Sequence, residues 1–252
     1  MRSSKNDNDF SLVVVERFEG LDFVDVVDES NFEMYVERML QDIYKPLLTS
    51  TDRDLLPVGI DTSVRNFVYR IRDGEFCYVD FMPPKVFYRG HYTQEVPEIS
   101  GPFYDIRMLT HNDRKGVVYS VYINLARLFP AKRKAVISKL EQFLVGIAQP
   151  DLMEHIVSSP FYRLSEAKDA INIVNAIQDW KGISYLHLRE AACIAAEYND
   201  SFRQQLEDFF KLTHHETDTD SSEYGLLPAR RFDAAKAMLI DAFTLNGAKS
   251  NP

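Results

Sequence analysis

The chain has 252 residues, with 29 Lys plus Arg against 38 Asp plus Glu, so the formal charge is 29 − 38 = −9. Apolar residues make up 45% and aromatics 12%, enough for a sizeable core, which excludes disorder as the main state. The acidic balance argues against a nucleic-acid partner bound through phosphate neutralisation.

This length suits one large domain or two small ones. With 10 Gly and 11 Pro, collagen-like and low-complexity chains are excluded. No apolar run is long enough to span a membrane, and the N-terminus lacks a signal-peptide core. Cys77 and Cys193 lie far apart, so no disulfide framework is expected and a reducing cytoplasm is the expected location.

Residues 1–9 are polar and are predicted to form a disordered tail, with 10–252 as a single domain. SLVVV, 11–15, reads as a buried strand that breaks at Gly20. Ser30 and Glu33 have the spacing of a capping box at the start of a helix. Apolar residues from Phe32 to Leu47 recur at helical spacing, and Pro46 with the polar TSTDRD run is expected to stop it. Residues 67–71 and 75–79 are aromatic and β-branched, and Asp73-Gly74 between them predicts a hairpin with a type I′ turn. The proline-rich stretch 83–102 reads as a long loop. From about residue 103 the pattern is helical, with candidate helices at 103–112, 116–129, 131–148, 151–158, 163–179, 185–199, 201–213 and 228–245. In 116–129, Val117, Val118, Val121, Tyr122, Leu125 and Leu128 form one stripe. A little β followed by much α predicts an α+β fold, a mainly helical body with a small β-hairpin element.

Phosphate-binding glycine loops, zinc-protease and paired-cysteine motifs and the nucleophile elbow are all absent. His214-His215 lies in an acidic loop and reads as solvated. One segment carries chemistry. Asp61 lies in a loop before the first hairpin strand, Asn66 opens that strand, and Asp80 closes the second. A hairpin brings its ends together, so two carboxylates and an amide oxygen converge. Such hard oxygen donors suit Mg²⁺, which uses few protein ligands and fills its shell with water and phosphate. Taken singly, each of the three also reads as a turn or cap residue.

Gly59-Ile60-Asp61, Asn66-Phe67 and Asp80-Phe81 together resemble the catalytic core of the protein-kinase-like superfamily, in particular its aminoglycoside and choline phosphotransferase branch. The resemblance covers residues 11–130 and implies a kinase-like C-lobe. It implies Asp61 as the catalytic residue that orients or deprotonates the acceptor hydroxyl, and Asn66 and Asp80 as metal ligands. Val13 to Gly20 is similar to the hinge that holds adenine, with Glu16 and Phe18 supplying backbone groups. Asp105 matches an acid that props the catalytic loop. Gly59 stands where the family has a His, and Met82 where an Asp-Phe-Gly motif has its last Gly. The ten residues before the hinge are too few for an N-lobe, so either Mg²⁺ and C-lobe residues such as Arg65 or Lys85 would meet the phosphates, or a partner chain would supply the lobe, or the chain would be a shortened relative. The implied cofactors are Mg²⁺ and ATP or another nucleoside triphosphate.

Three functions are compatible with these residues. The first is a phosphotransferase acting on a small hydroxyl- or amine-bearing molecule. The second is a pseudokinase-like binding or regulatory module without turnover. The third is a helical interaction protein in which Asp61, Asn66 and Asp80 only make turns. An unpaired edge at SLVVV further predicts pairing with a second copy or a partner chain, or cover by 83–102.

Overall fold

The computed structural model describes residues 2–6, 9–13, 20–56, 58–79, 87–88, 91–92, 108–159, 161–162, 229–247 and parts of 174–179 and 187–194. They form a mixed α and β structure, mostly helical, with a small antiparallel sheet of three strands.

The first hairpin corrects the expectation of an N-terminal tail. β1 (Arg2–Asn6) pairs antiparallel with β2 (Asp9–Val13), from Arg2 opposite Val13 to Asn6 opposite Asp9. Residues 11–13 of the strand expected at 11–15 thus pair along one edge with residues 2–4 of the same chain, while residues 14–15 lie outside the described residues.

β3 (Leu21–Asp22) leads directly into α1 (Phe23–Val26). Asp22 caps α1 by accepting the Asp25 N–H at 2.9 Å. The capping box at Ser30 does not form. Asp28 Oδ1 instead accepts both the N–H and the hydroxyl of Ser30, at 2.8 and 2.6 Å, and the helix begins two residues later. These bonds hold the exposed Asp28 carboxyl below the usual carboxylate range.

α2 (Phe32–Met39) continues through a π turn (Leu40–Tyr44) into α3 (Lys45–Thr49). Pro46 therefore does not stop the helix. A proline clashes with the carbonyl four residues back and has no N–H. The wide turn moves the ladder by one residue, so that Lys45 N–H bonds to Leu40 C=O just before the proline. Pro46 then sits in the first turn of α3, where a missing N–H is harmless.

After a short 3₁₀ turn (Val64–Asn66), β4 (Phe67–Arg70) and β5 (Glu75–Tyr78) pair as expected, with β3 on the other side of β4. The connection is a four-residue turn, 71–74, rather than a two-residue type I′ turn. The Gly74 N–H returns to Arg70 C=O at 2.9 Å. Within this turn only Gly74 takes a positive φ, +69°, whereas a type I′ turn requires Asp73 to do so as well. Within 83–102, β6 (Phe87–Tyr88) and β7 (His91–Tyr92) form a small ladder.

The body is built around α4 (Arg114–Leu128). Its residues Val117 to Ile123 are all buried, so these two turns have no solvent face and the expected single stripe widens to the full circumference. α2, α5 (Arg133–Gly146) and α6 (Glu154–Val157) complete the helical packing, and α7 (Ala229–Gly247) lies near the C-terminus. Phe23, Phe32, Tyr44, Phe67 and Phe76 join α4 in one apolar core. Among the described residues no helix is long and apolar enough to cross a membrane.

Candidate functional site

Residues 54–62 lie along the turn that precedes α4 and borrow its backbone. Leu56 N–H donates to Asn112 C=O at 2.8 Å, Ile60 N–H to His111 C=O at 2.9 Å, and Arg114 N–H to Asp54 C=O at 2.9 Å. Asp105, expected to prop this loop, lies outside the described residues, and residues 111–114 make these contacts. Gly59 is where the two segments come closest. A Cβ there would lie 3.0 Å from the side-chain oxygen and nitrogen of the fully buried Asn112. That close approach explains a glycine where the resemblance implies a histidine.

Further along, the loop is fixed by side chains. The Thr62 and Ser120 hydroxyls meet at 2.7 Å in a buried contact. Asn124 Nδ2 donates to Thr62 C=O at 2.8 Å and to Thr62 Oγ1 at 2.9 Å. Asp61 N–H donates to the Tyr78 hydroxyl at 2.9 Å, which ties the loop to the end of β5.

This frame positions the residues nominated from sequence. Asp61 is half-buried and its Oδ1 accepts the Ser63 N–H at 2.9 Å, a local turn of the kind short acidic side chains make. Asn66 ends the 3₁₀ turn, and its C=O accepts the Val79 N–H at 2.9 Å. Arg65 points outward with a side chain 70% exposed, 3.4 Å from Asp22 Oδ2. Asp61, Arg65 and Asn66 thus share one short loop. Asp80, Glu16, Phe18 and Lys85 lie outside the described residues. Among the described residues no three His, Cys, Asp or Glu side chains gather to hold a metal. Mg²⁺ makes no such demand, since it commonly takes one or two carboxylates and completes its shell with other oxygens.

Beside the loop opens a cavity of about 230 Å³. It is lined by Ser63, Val64 and Arg65 of the loop, by Asn124, Arg127 and Leu128 of α4, and by Val24 of α1. Sequence reasoning missed the α4 residues. The available signal was Asn124 and Arg127, two polar residues three apart in the mostly apolar second half of the helix, hence on one face. Arg189 stands behind them, donating to Asn124 Oδ1 at 2.9 Å.

A second polar centre is closed to solvent. Glu190, 1% exposed, accepts from the Tyr122 hydroxyl at 2.6 Å, the Tyr119 hydroxyl at 2.5 Å and the Ser159 hydroxyl, with Arg133 at 4.0 Å. Burial raises its pKa against the effect of these donors. Burial likewise lowers His187, which packs edge-on to Tyr119, to about 4, with His155 adding to the effect. The carboxylate is enclosed by its donors, so this cluster fastens the segment around 190 to α4.

Comparison of the chain with protein-family models, with curated proteins and with solved structures finds no match.

Proposed function

We propose that the chain is a Mg²⁺-dependent phosphotransferase with a kinase-like C-lobe, passing the terminal phosphoryl group of ATP or another nucleoside triphosphate to a small molecule. The observation that carries this reading is the pair of ties across the hairpin mouth. Tyr78 hydroxyl accepts the Asp61 N–H and Asn66 C=O accepts the Val79 N–H. They hold the Asp61 loop and the Asn66 turn against the end of β5, with Asp80 next in sequence after Val79.

In this reading Asp61 orients the acceptor hydroxyl or amine and takes its proton. The Ser63 N–H bond fixes the carboxylate at one oxygen, and a carboxylate can accept at two. Asn66 and Asp80 would hold Mg²⁺, both offering hard oxygen donors. The metal, when bound, neutralises charge on the transferring phosphoryl group. Phosphoryl transfer is mostly positioning and charge stabilisation. A loop pinned at Thr62, Ser120, Asn124 and Tyr78 suits that demand. Glu16 and Phe18 would receive the adenine.

The test is transfer of labelled terminal phosphate from Mg–ATP to a set of small alcohols and amines, with thermal shift by Mg–ATP alongside. Asp61→Asn should keep the thermal shift and lose transfer by about 10²–10⁴-fold, the range expected for a general base. Asn66→Ala should raise the Mg²⁺ concentration needed. A thermal shift without transfer to any acceptor assigns the chain to the binding-module reading. The absence of any shift with millimolar Mg–ATP overturns both.

A further inference from the structure

We propose that Arg189 is a positioning residue for Asp61, acting on its carboxylate through two amides in series: the side chain of Asn124 and the peptide between Thr62 and Ser63. Its bearing on catalysis rests on the phosphotransferase reading; its hold on Asp61 rests on the hydrogen bonds alone.

The bonds run in one sense from end to end. Arg189 Nη2 donates to Asn124 Oδ1 at 2.9 Å. Asn124 Nδ2 donates to Thr62 C=O at 2.8 Å. The Ser63 N–H donates to Asp61 Oδ1 at 2.9 Å. Thr62 C=O and Ser63 N–H belong to one peptide unit, which is planar and trans. They point to opposite sides of it, so pinning the carbonyl aims the N–H. The series starts at a cation and ends at a carboxylate. Each amide between them is polarised the same way, which strengthens the next bond.

Arg189 supplies the direction. A guanidinium has several N–H donors and no acceptor. One bond to Asn124 leaves the rest for further partners, and the amide oxygen of Asn124 must be the atom that faces it. The amide nitrogen then faces Thr62, where it also meets Oγ1 at 2.9 Å. Turned over, the amide would set its oxygen against the Thr62 carbonyl oxygen. Thr62 is 4% exposed, so water is a poor substitute for the lost donor. The next residue fixes where Arg189 starts from. Glu190 accepts from Tyr119 and Tyr122 of α4 and from Ser159. The closed cluster thus anchors a chain of bonds that ends in the candidate site.

The experiment is NMR of the full chain, read at the Ser63 amide and the Asp61 side chain. Arg189→Met removes the donor and keeps an apolar stem. It should speed exchange of the Ser63 N–H about tenfold, the loss of one charge-assisted hydrogen bond. Asp61 χ1 should then average over rotamers. Amides of the hairpin 67–78 should exchange as in the native chain, which separates positioning from a general loss of stability. Arg189→Lys retains a charged donor for a contact that uses one N–H, so slow exchange should return. Asn124→Ala breaks the series in the middle. It should match Arg189→Met at Ser63, and adding Arg189→Met to it should change nothing further. Native exchange at Ser63 in either single variant overturns the relay. So does equal acceleration at Ser63 and across the hairpin, or an additive effect in the double variant. Asn124→Ala leaves Arg189 in place, so it decides the matter even where Arg189→Met does not fold. Phosphoryl transfer from Mg–ATP by the same variants tests the catalytic bearing. There kcat should fall with KM for Mg–ATP unchanged, and an unchanged kcat overturns that bearing. A native chain that transfers nothing while Ser63 responds as expected leaves the positioning in place, and the phosphotransferase reading alone falls.

Discussion

Tyr44 illustrates a residue that packs well and bonds poorly. Its ring is buried against Phe67, while its hydroxyl meets no hydrogen-bond partner among the described residues. Burial raises its pKa well above the usual tyrosine value. A buried hydroxyl without a partner costs ~1–3 kcal/mol. Tyr44→Phe should therefore leave stability unchanged or raise it by about 1 kcal/mol in urea unfolding, and a clear loss would show that the hydroxyl has a partner. Gly59 behaves oppositely. Gly59→Ala must push Asn112 aside within the prop of the Asp61 loop, so a loss of about 1–3 kcal/mol is expected, typical of overpacking a filled site. His187 sets a pH dependence. Its folded pKa, about 4, lies below the ordinary 6.5, so the unfolded chain binds the proton first. Its contribution is complete above pH 6.5 and is lost as pH falls from 6.5 towards 4, by up to about 3 kcal/mol at 1.36 kcal/mol per pH unit. Glu190, with a raised pKa, acts in the opposite sense, losing its contribution as pH rises through its folded value. The difference between the native chain and His187→Gln isolates the histidine. That difference should change with pH only below about 6.5.

At the scale of elements, the π turn joins the helix to the sheet. Asp42 within it accepts the Phe76 N–H of β5 at 2.9 Å and pairs with Arg38 at 2.9 Å. Asp42→Ala should cost about 1–2 kcal/mol, mostly from the strand N–H it abandons. Arg38→Ala, which removes only the partly exposed ion pair, should cost less than about 0.5 kcal/mol. The hairpin 67–78 was legible because β-branched and aromatic residues flank Asp-Gly, a local signal. Its turn type was not, because the choice between two and four loop residues depends on register with β3 as well. The capping box failed for a similar reason. Ser30 has a nearer acceptor in Asp28, and spacing alone does not rank two local bonds. Pro46 misled because its usual effect assumes an α ladder, which the π turn replaces.

At the scale of the molecule, the order of elements carried the α+β class, since strand and helix periods are written locally. The full burial of α4 was not legible: its apolar stripe says which side must be buried, and only the surrounding helices decide whether the rest is. Asp61, Arg65 and Asn66 were readable as a loop cluster. The α4 residues that line the cavity were not, because Asn124 and Arg127 are distant in sequence and meet the loop only once α4 is placed. Long-range contact governs stability at Glu190 too. It links α4 to the segment around 190 through Tyr119, Tyr122 and Ser159. Glu190→Leu removes the carboxylate but strands three hydroxyls, so a loss of about 3–5 kcal/mol is expected, the cost of breaking a buried charged network. Hydrogen exchange should speed up first at 187–194.

The Thr62–Asn124 bonds also bear on the order in which the chain is made. Asn124 lies 62 residues after Thr62. At about 5–20 residues per second of synthesis, the loop waits roughly 3–12 seconds for its partner. The neighbouring hairpin closes in microseconds, so strands stand ready beside a loop whose backbone is still hydrated. Nascent chains arrested before residue 114 should then show a formed hairpin and an unfixed Asp61, and protease should cut at 54–63 until the central helix emerges.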